Sequence, residues 1–244
     1  VNFHMVELTK EKNLEQGISK SLEKANSFGD RILFSYSFRF EVRDLLPILT
    51  HPADKNTTRI YWEQPSQGFS FAGLGSILEF QTAEIENANE INKQIKNIMD
   101  RGISITDNSL IGPRIIGGFG FNNYTGGDDT WKNFPRKHFL LPECLGTSTD
   151  DGTWLTISRM VLPNEKVNTI INEITQTIIF YENRLPVTLP PISRVAVDKF
   201  RDVPDRETYN KTIFSVLENI KPGKLEKVVI SRSHHVKMGK GFSV

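Results

Sequence analysis

One cysteine stands in the 244 residues, at position 144. An internal disulfide is therefore excluded, and so sparing a use of thiols fits a reducing compartment, so a cytoplasmic location is expected. An excess of charge of one sign is lacking too. Thirty Lys and Arg against 29 Asp and Glu leave a formal net charge of +1. No strong field draws such a chain to nucleic acid or to an anionic membrane surface. No apolar run approaches the roughly 18 residues that a membrane-spanning helix needs. The N-terminus lacks the succession of charge, apolar stretch and small residues that marks a secretory signal. His4-Met5 is what a CATATG cloning site encodes, so residues 1–4 read as vector-derived, with Met5 the natural start. Cys144, set between Glu143 and Leu145, reads as a packing residue rather than a nucleophile.

What is present is ordinary globular patterning, with 38% hydrophobic and 24% charged residues. In residues 11–25, Leu14, Ile18 and Leu22 recur every fourth position over a polar remainder, which predicts a surface helix ended by Gly29-Asp30. Residues 31–42 alternate, with Ile32, Phe34, Tyr36, Phe38 and Phe40 on one side and Ser35, Ser37, Arg39 and Glu41 on the other. That pattern predicts a strand with one buried face. The aromatic row could stack nucleic-acid bases, but no basic stripe accompanies it, and a sheet face on a core explains it. Residues 44–50 read as a short helical or turn piece and 52–57 as a polar loop. Residues 59–62 and 69–75, joined through Pro65 to Gly68, read as a hairpin.

Further along, residues 82–101 carry Ile85, Ala88, Ile91, Ile95 and Ile98 at helical spacing, closed by Gly102. Residues 113–121 form a glycine-laced strand in which Gly117 and Gly118 point to close packing or a bulge. Residues 139–157 are expected to fold as a hairpin across a turn rich in Thr, Ser, Asp and Gly. A second long helix is expected over 165–183, then a proline-rich linker at 186–191 and a weak strand at 192–197. Polar residues 198–204 precede a helix over 205–220, with Asp202 or Asp205 as its N-cap. After the Lys221-Pro222-Gly223 turn, residues 225–232 form a short β-branched run that reads as a strand.

Three motifs fail on inspection. Gly73-Leu74-Gly75 lacks the third glycine of a dinucleotide fingerprint, since Leu78 sits there, and follows a hairpin rather than opening a helix. Gly126-Gly127-Asp128-Asp129 lacks the spaced oxygen ligands and closing Glu of a calcium loop. His234 and His235, adjacent in an extended chain, point to opposite faces and do not chelate together.

Lys227 carries the chemistry worth weighing. In a regular strand it shares a face with Leu225, Val229 and Ser231, while Arg232 lies on the other side. An ammonium on an apolar face is costly unless it is paired or functional. Burial there would favour a neutral amine able to act as a base. From the residues alone, the commoner outcome is a lysine at a strand end that snorkels to water.

Three stretches together resemble a known family. They are Trp62-Glu63-Gln64-Pro65 with the glycine-rich run to Gly75, residues 115–142 with their Trp-x-x-Phe and Phe-x-x-Pro elements, and the helix, turn and Lys227 strand. They resemble the chorismate-utilising enzymes and, within them, the isochorismate synthases. The resemblance implies an α+β fold of largely antiparallel sheets with helices packed outside. It implies a division into an N-terminal α+β region, 5–200, and the start of a chorismate-binding catalytic domain, 205–244. It implies that Lys227 is the general base that activates a water to attack C2 of chorismate, while a glutamic acid protonates the departing C4 hydroxyl. Mg2+ held by other glutamates would grip the substrate carboxylate. In the related anthranilate and aminodeoxychorismate synthases this position commonly carries glutamine, so a lysine favours water as the nucleophile. Salicylate synthases share the lysine and stay as an alternative, as does a non-catalytic half-domain with a binding or assembly role.

The resemblance also sets an expectation of incompleteness. Residues 228–244 contain neither Asp nor Glu, so the family's general acid and magnesium ligands have no counterpart after Lys227. The chain is expected to be the front half of the enzyme, silent by itself, with exposed sheet edges prone to self-association. Chorismate is the expected small-molecule partner, and the product could feed menaquinone, siderophore or salicylate synthesis.

Overall fold

The alternating run near the N-terminus becomes an interior strand of a six-stranded sheet, next to one edge. The computed structural model describes residues 3–41, 44–49, 57–82, 88–120, 134–184 and 197–238. The chain divides into two compact units, Val1–Leu189 and Pro190–Val244. In the first, the order is α1 (Phe3–Phe28), β1 (Ile32–Phe40), α2 (Leu46–Leu49), β2 (Arg59–Gln64), β3 (Phe69–Leu74), β4 (Leu78–Thr82), α3 (Ala88–Arg101), β5 (Ile103–Ile105), β6 (Ile116–Phe119), β7 (Lys137–Leu141), β8 (Cys144–Thr149), β9 (Gly152–Val161) and α4 (Val167–Arg184). The large sheet runs β2-β3-β8-β9-β1-β5, and a smaller one runs β4-β7-β6. All pairs are antiparallel except β1 with β5. The class is thus α+β with largely antiparallel sheets, as expected.

The large sheet is covered on both faces. On one, Ile32, Phe34, Tyr36 and Phe38 pack with Leu14 and Ile18 of α1 and Ile170 and Ile174 of α4. On the other, Leu33 clusters with Leu78 and Leu141 of the small sheet, flanked by Ile98, Met99 and Met160. The expectation of a one-faced β1 is therefore corrected, since Ser35 and Ser37 are buried as well as the aromatic row. Their hydroxyls are satisfied across the sheet, Ser35 Oγ donating to Ser104 Oγ at 3.0 Å and Ser37 Oγ sharing a hydrogen bond with Thr156 Oγ1 at 2.9 Å. Small hydroxyls paired in this way can be buried at low cost, so a polar-looking face does not have to be a wet one.

The first helix extends beyond its expected span, from Phe3 to Phe28, and is the surface helix expected, with Leu14 and Ile18 on the face it turns to the core. The expected hairpin over 139–157 is corrected too. Lys137–Leu141 pairs with β4 and β6 in the small sheet, and the hairpin is β8 with β9, Thr149 opposite Gly152. Pro142 separates the two strands, and a residue with no N–H suits a change of sheet better than a continuing ladder. The glycine-laced strand shortens to Ile116–Phe119, where a Cβ at Gly117 would collide with the His138 carbonyl. Close backbone approach, one of the two readings of that glycine, is what the fold uses. The calcium-like loop, residues 131–133, Ile85, the proline-rich linker and residues 192–196 lie outside the described residues.

Candidate active site

The unit Pro190–Val244 carries Lys227. Its elements are β10 (Val197–Val203), α5 (Arg206–Ile220) and β11 (Ser233–Met238), with β10 and β11 forming an antiparallel two-stranded sheet. Asp205 caps α5, its side chain accepting from the Thr208 N–H at 2.9 Å, which settles the choice between Asp202 and Asp205. That hydrogen bond holds the Asp205 carboxyl below the usual carboxylate range. Gly223 closes the expected turn in the left-handed region, φ +75, its N–H bonded to the Ile220 carbonyl.

The strand expected at 225–232 does not form. Residues 227–232 form no ladder, and the strand lies further on at Ser233–Met238. The reason is pairing: a β-branched run becomes a strand only beside a partner, and the register of β10 gives its hydrogen bonds to residues 233–238. Strand β10 itself reverses another expectation, because residues 198–203, read as polar and non-strand, are most of it. Lys227 is exposed, and among the described residues it forms no ion pair. The burial that would favour a neutral amine is not supplied by this unit.

A second group of side chains sits nearby in the hairpin. Asp202 stands directly opposite His234. The ring of His234 donates from Nδ1 to Asp202 Oδ1, and Arg232 lies 3.2 Å from Asp202 Oδ2. The His234 bond first, and the Arg232 charge with it, hold the Asp202 carboxyl below its ordinary range. Phe200 stacks on His234 with ring centres 5.5 Å apart, and the Arg232 guanidinium lies 5.4 Å from the centre of the Tyr209 ring. His235 pairs across the ladder with Arg201, so the two histidines face opposite ways as expected. Among the described residues, no group of three or more His, Cys, Asp or Glu is placed to hold a metal ion.

The sequence reading missed the Asp202–Arg232–His234 group because it took Asp202 as a helix cap and residues 198–204 as non-strand. The signal was there in outline: once residues 197–203 and 233–238 are allowed as a hairpin, the acid and the histidine fall opposite one another. Cys144 needs no functional reading. It is fully buried, and burial pushes its thiol up and away from thiolate.

Comparison with known proteins was made on this frame. The chain is 25% identical over 232 residues to the isochorismate synthase MenF of Bacillus subtilis, covering 92% of this chain and 48% of that protein. The chain thus spans about half the length of the curated relative it matches. A solved structure of MenF, the menaquinone-specific isochorismate synthase from Escherichia coli, aligns with a TM-score of 0.46 at 17% identity, over 91% of this chain and 47% of that one. The family model described as chorismate binding enzyme matches residues 20–244, a span that takes in both units and Lys227. On that match the chain belongs to the chorismate-binding enzyme family.

Proposed function

We propose that this chain is part of an isochorismate synthase and that Lys227 is its general base. The observation that carries the proposal is the likeness to the Bacillus subtilis isochorismate synthase, which runs through 92% of the chain. Local charge supports it. Residues 221–244 carry Lys221, Lys224, Lys227, Lys237 and Lys240 against the single acid Glu226, with Arg232 paired to Asp202, a positive balance suited to a dicarboxylate such as chorismate.

In this reading the Lys227 amine accepts a proton from water as the oxygen bonds to C2 of the ring. Both ring double bonds shift, the C4–O bond breaks, and the hydroxyl leaves as water on taking a proton from the glutamic acid that the family resemblance implies as general acid. One water enters and one leaves, so the reaction is an isomerisation that needs no oxidant or reductant. Catalysis of this kind needs the amine within hydrogen-bond reach of the attacking water. No step here is routed through magnesium.

The test is incubation of chorismate and magnesium with the complete protein in which this sequence occurs, beside a Lys227→Ala variant, with chromatographic separation of products. Isochorismate from the wild type, reduced at least about a hundredfold in the variant, is the expected result. Salicylate as the product would replace the reaction by that of a salicylate synthase. Unchanged chorismate, or full activity in the variant, would overturn the proposal.

A further inference from the structure

The unit Val1–Leu189 contains an open-sided cavity of about 480 Å3 on the Leu33 and Ser35 side of the large sheet, bordered by α3, β5 and residues 106–114. That volume lies within the range of small-molecule sites. Its apolar wall comes from Leu33, Met99, Ile103 and Ile111. Among the described residues that line it there is no Asp, Glu or Lys, and Arg114 is the one charged side chain.

Arg114 is held in place and left incomplete. Its NH2 donates to the Leu110 carbonyl at 2.6 Å, and its guanidinium lies 5.7 Å from the centre of the Phe69 ring. Its Nε is buried with no hydrogen-bond acceptor. That Nε is closed off from a ligand, but a guanidinium has five N–H groups, so Arg114 keeps Nη donors beyond the one given to the Leu110 carbonyl. Ser104, on the same lining, accepts the hydrogen bond from the fully buried Ser35. Its own hydroxyl proton is then available to an oxygen inside the cavity.

We propose that this cavity is a binding site for a small carboxylate with an apolar body of one ring, its carboxylate taken by Arg114 and Ser104 and its ring by Leu33, Met99 and Ile111. The physical basis is a fixed cation and a free hydroxyl donor, with no competing acid, beside an apolar wall. Carboxylate recognition by a positioned guanidinium is among the stronger charge-assisted contacts. The site is built entirely from the unit Val1–Leu189, does not include Lys227, and does not depend on the reaction proposed above.

Benzoate is the probe, with benzamide as its neutral counterpart of the same shape. Binding is followed by calorimetry and by the methyl resonance of 13C-labelled Met99. Benzoate should bind saturably and shift the Met99 methyl. Benzamide, and benzoate with the Arg114→Gln variant, should each bind at least about tenfold more weakly. Ser104→Ala should weaken benzoate by a smaller factor, and Lys227→Ala should leave it unchanged. Equal binding of benzoate and benzamide, no saturation, or undiminished affinity in Arg114→Gln would overturn the proposal. Loss of benzoate binding in Lys227→Ala would overturn it as well.

Discussion

The units Val1–Leu189 and Pro190–Val244 obey the same chemistry with opposite results. In the first, a sheet is packed on both faces, and Phe34, Ile18, Ile170 and Leu141 are fully buried. In the second, no described side chain from 200 to 237 is buried, and Phe200, Phe214 and Val229 are 69%, 67% and 83% exposed. Yet α5 is regular and capped, and β10 with β11 keeps a cross-strand acid–histidine pair. Local structure and burial are therefore separable. Caps, turns and polar pairs can specify a helix and a hairpin whose apolar sides remain uncovered, whereas a two-stranded ribbon of this kind gains little stability by itself. The residue on which the chemistry is proposed to rest lies in the unit with the least burial.

The contrast can be broken most directly at its two extremes. Phe34→Ala should cost about 3–5 kcal/mol in urea unfolding followed by circular dichroism, while Phe214→Ala should stay within about 0.5 kcal/mol. Comparable losses for the two would mean that the second unit has a core after all. Inside the first unit, Gly117→Ala forces a methyl against the His138 carbonyl and should destabilise by about 1–3 kcal/mol. Gly118→Ala meets nothing within 4 Å and should be nearly neutral on the same assay. Equal effects at the two positions would remove the steric account of Gly117.

In the second unit, Asp205→Ala removes the cap of α5 and should destabilise that helix locally. The loss should appear as faster amide exchange in residues 206–210, with β1 and β9 unaffected. Faster unfolding of the whole chain, or protection lost in β1, would tie the units together energetically.

The smallest effect concerns pH. Glu165 receives a two-pronged bond from Arg159, at 2.8 and 3.0 Å, and the Leu162 N–H at 2.8 Å. Burial alone would raise its pKa, but the Arg159 hydrogen bond and the Leu162 N–H prevail and hold it below the ordinary value. A carboxylate depressed in the folded state contributes stability above its unfolded pKa, about 4.3, and loses it as pH falls through the folded value. The urea midpoint should drop between about pH 5 and pH 3, and the Arg159→Met variant should flatten that limb. An identical acid limb in the variant would show that other carboxylates set it.

Periodic segments were legible from the sequence because their burial repeats with the period of the element. Leu14, Ile18 and Leu22, the aromatic row of β1, and Ile91, Ile95 and Ile98 each mark one face in that way. The hairpin β2–β3 was legible from its turn chemistry. Short strands carried too few residues to show a period, as in β5, or were absorbed into a neighbour, as β4 was into the approach to α3. Strand β10 was hidden because Lys199, Arg201 and Asp202 make an exposed ribbon look like a loop. The site showed the same division: Lys227 could be singled out by its family motif, whereas the Asp202–Arg232–His234 group exists only through a cross-strand register.

The sequence by itself determined the class of the fold, the absence of an internal disulfide, the opposite facing of His234 and His235 and the motifs of the chorismate-binding family. Each depends on residue identity, spacing or count along one chain. Only the tertiary structure decided that Ser35 and Ser37 are buried, that Lys137–Leu141 leaves the large sheet, that residues 227–232 have no strand partner and that Arg114 borders a cavity with a donor unanswered. Those outcomes depend on which strand offers its hydrogen bonds to which neighbour and on what covers the second face of a sheet. Both are long-range choices that local spacing does not encode.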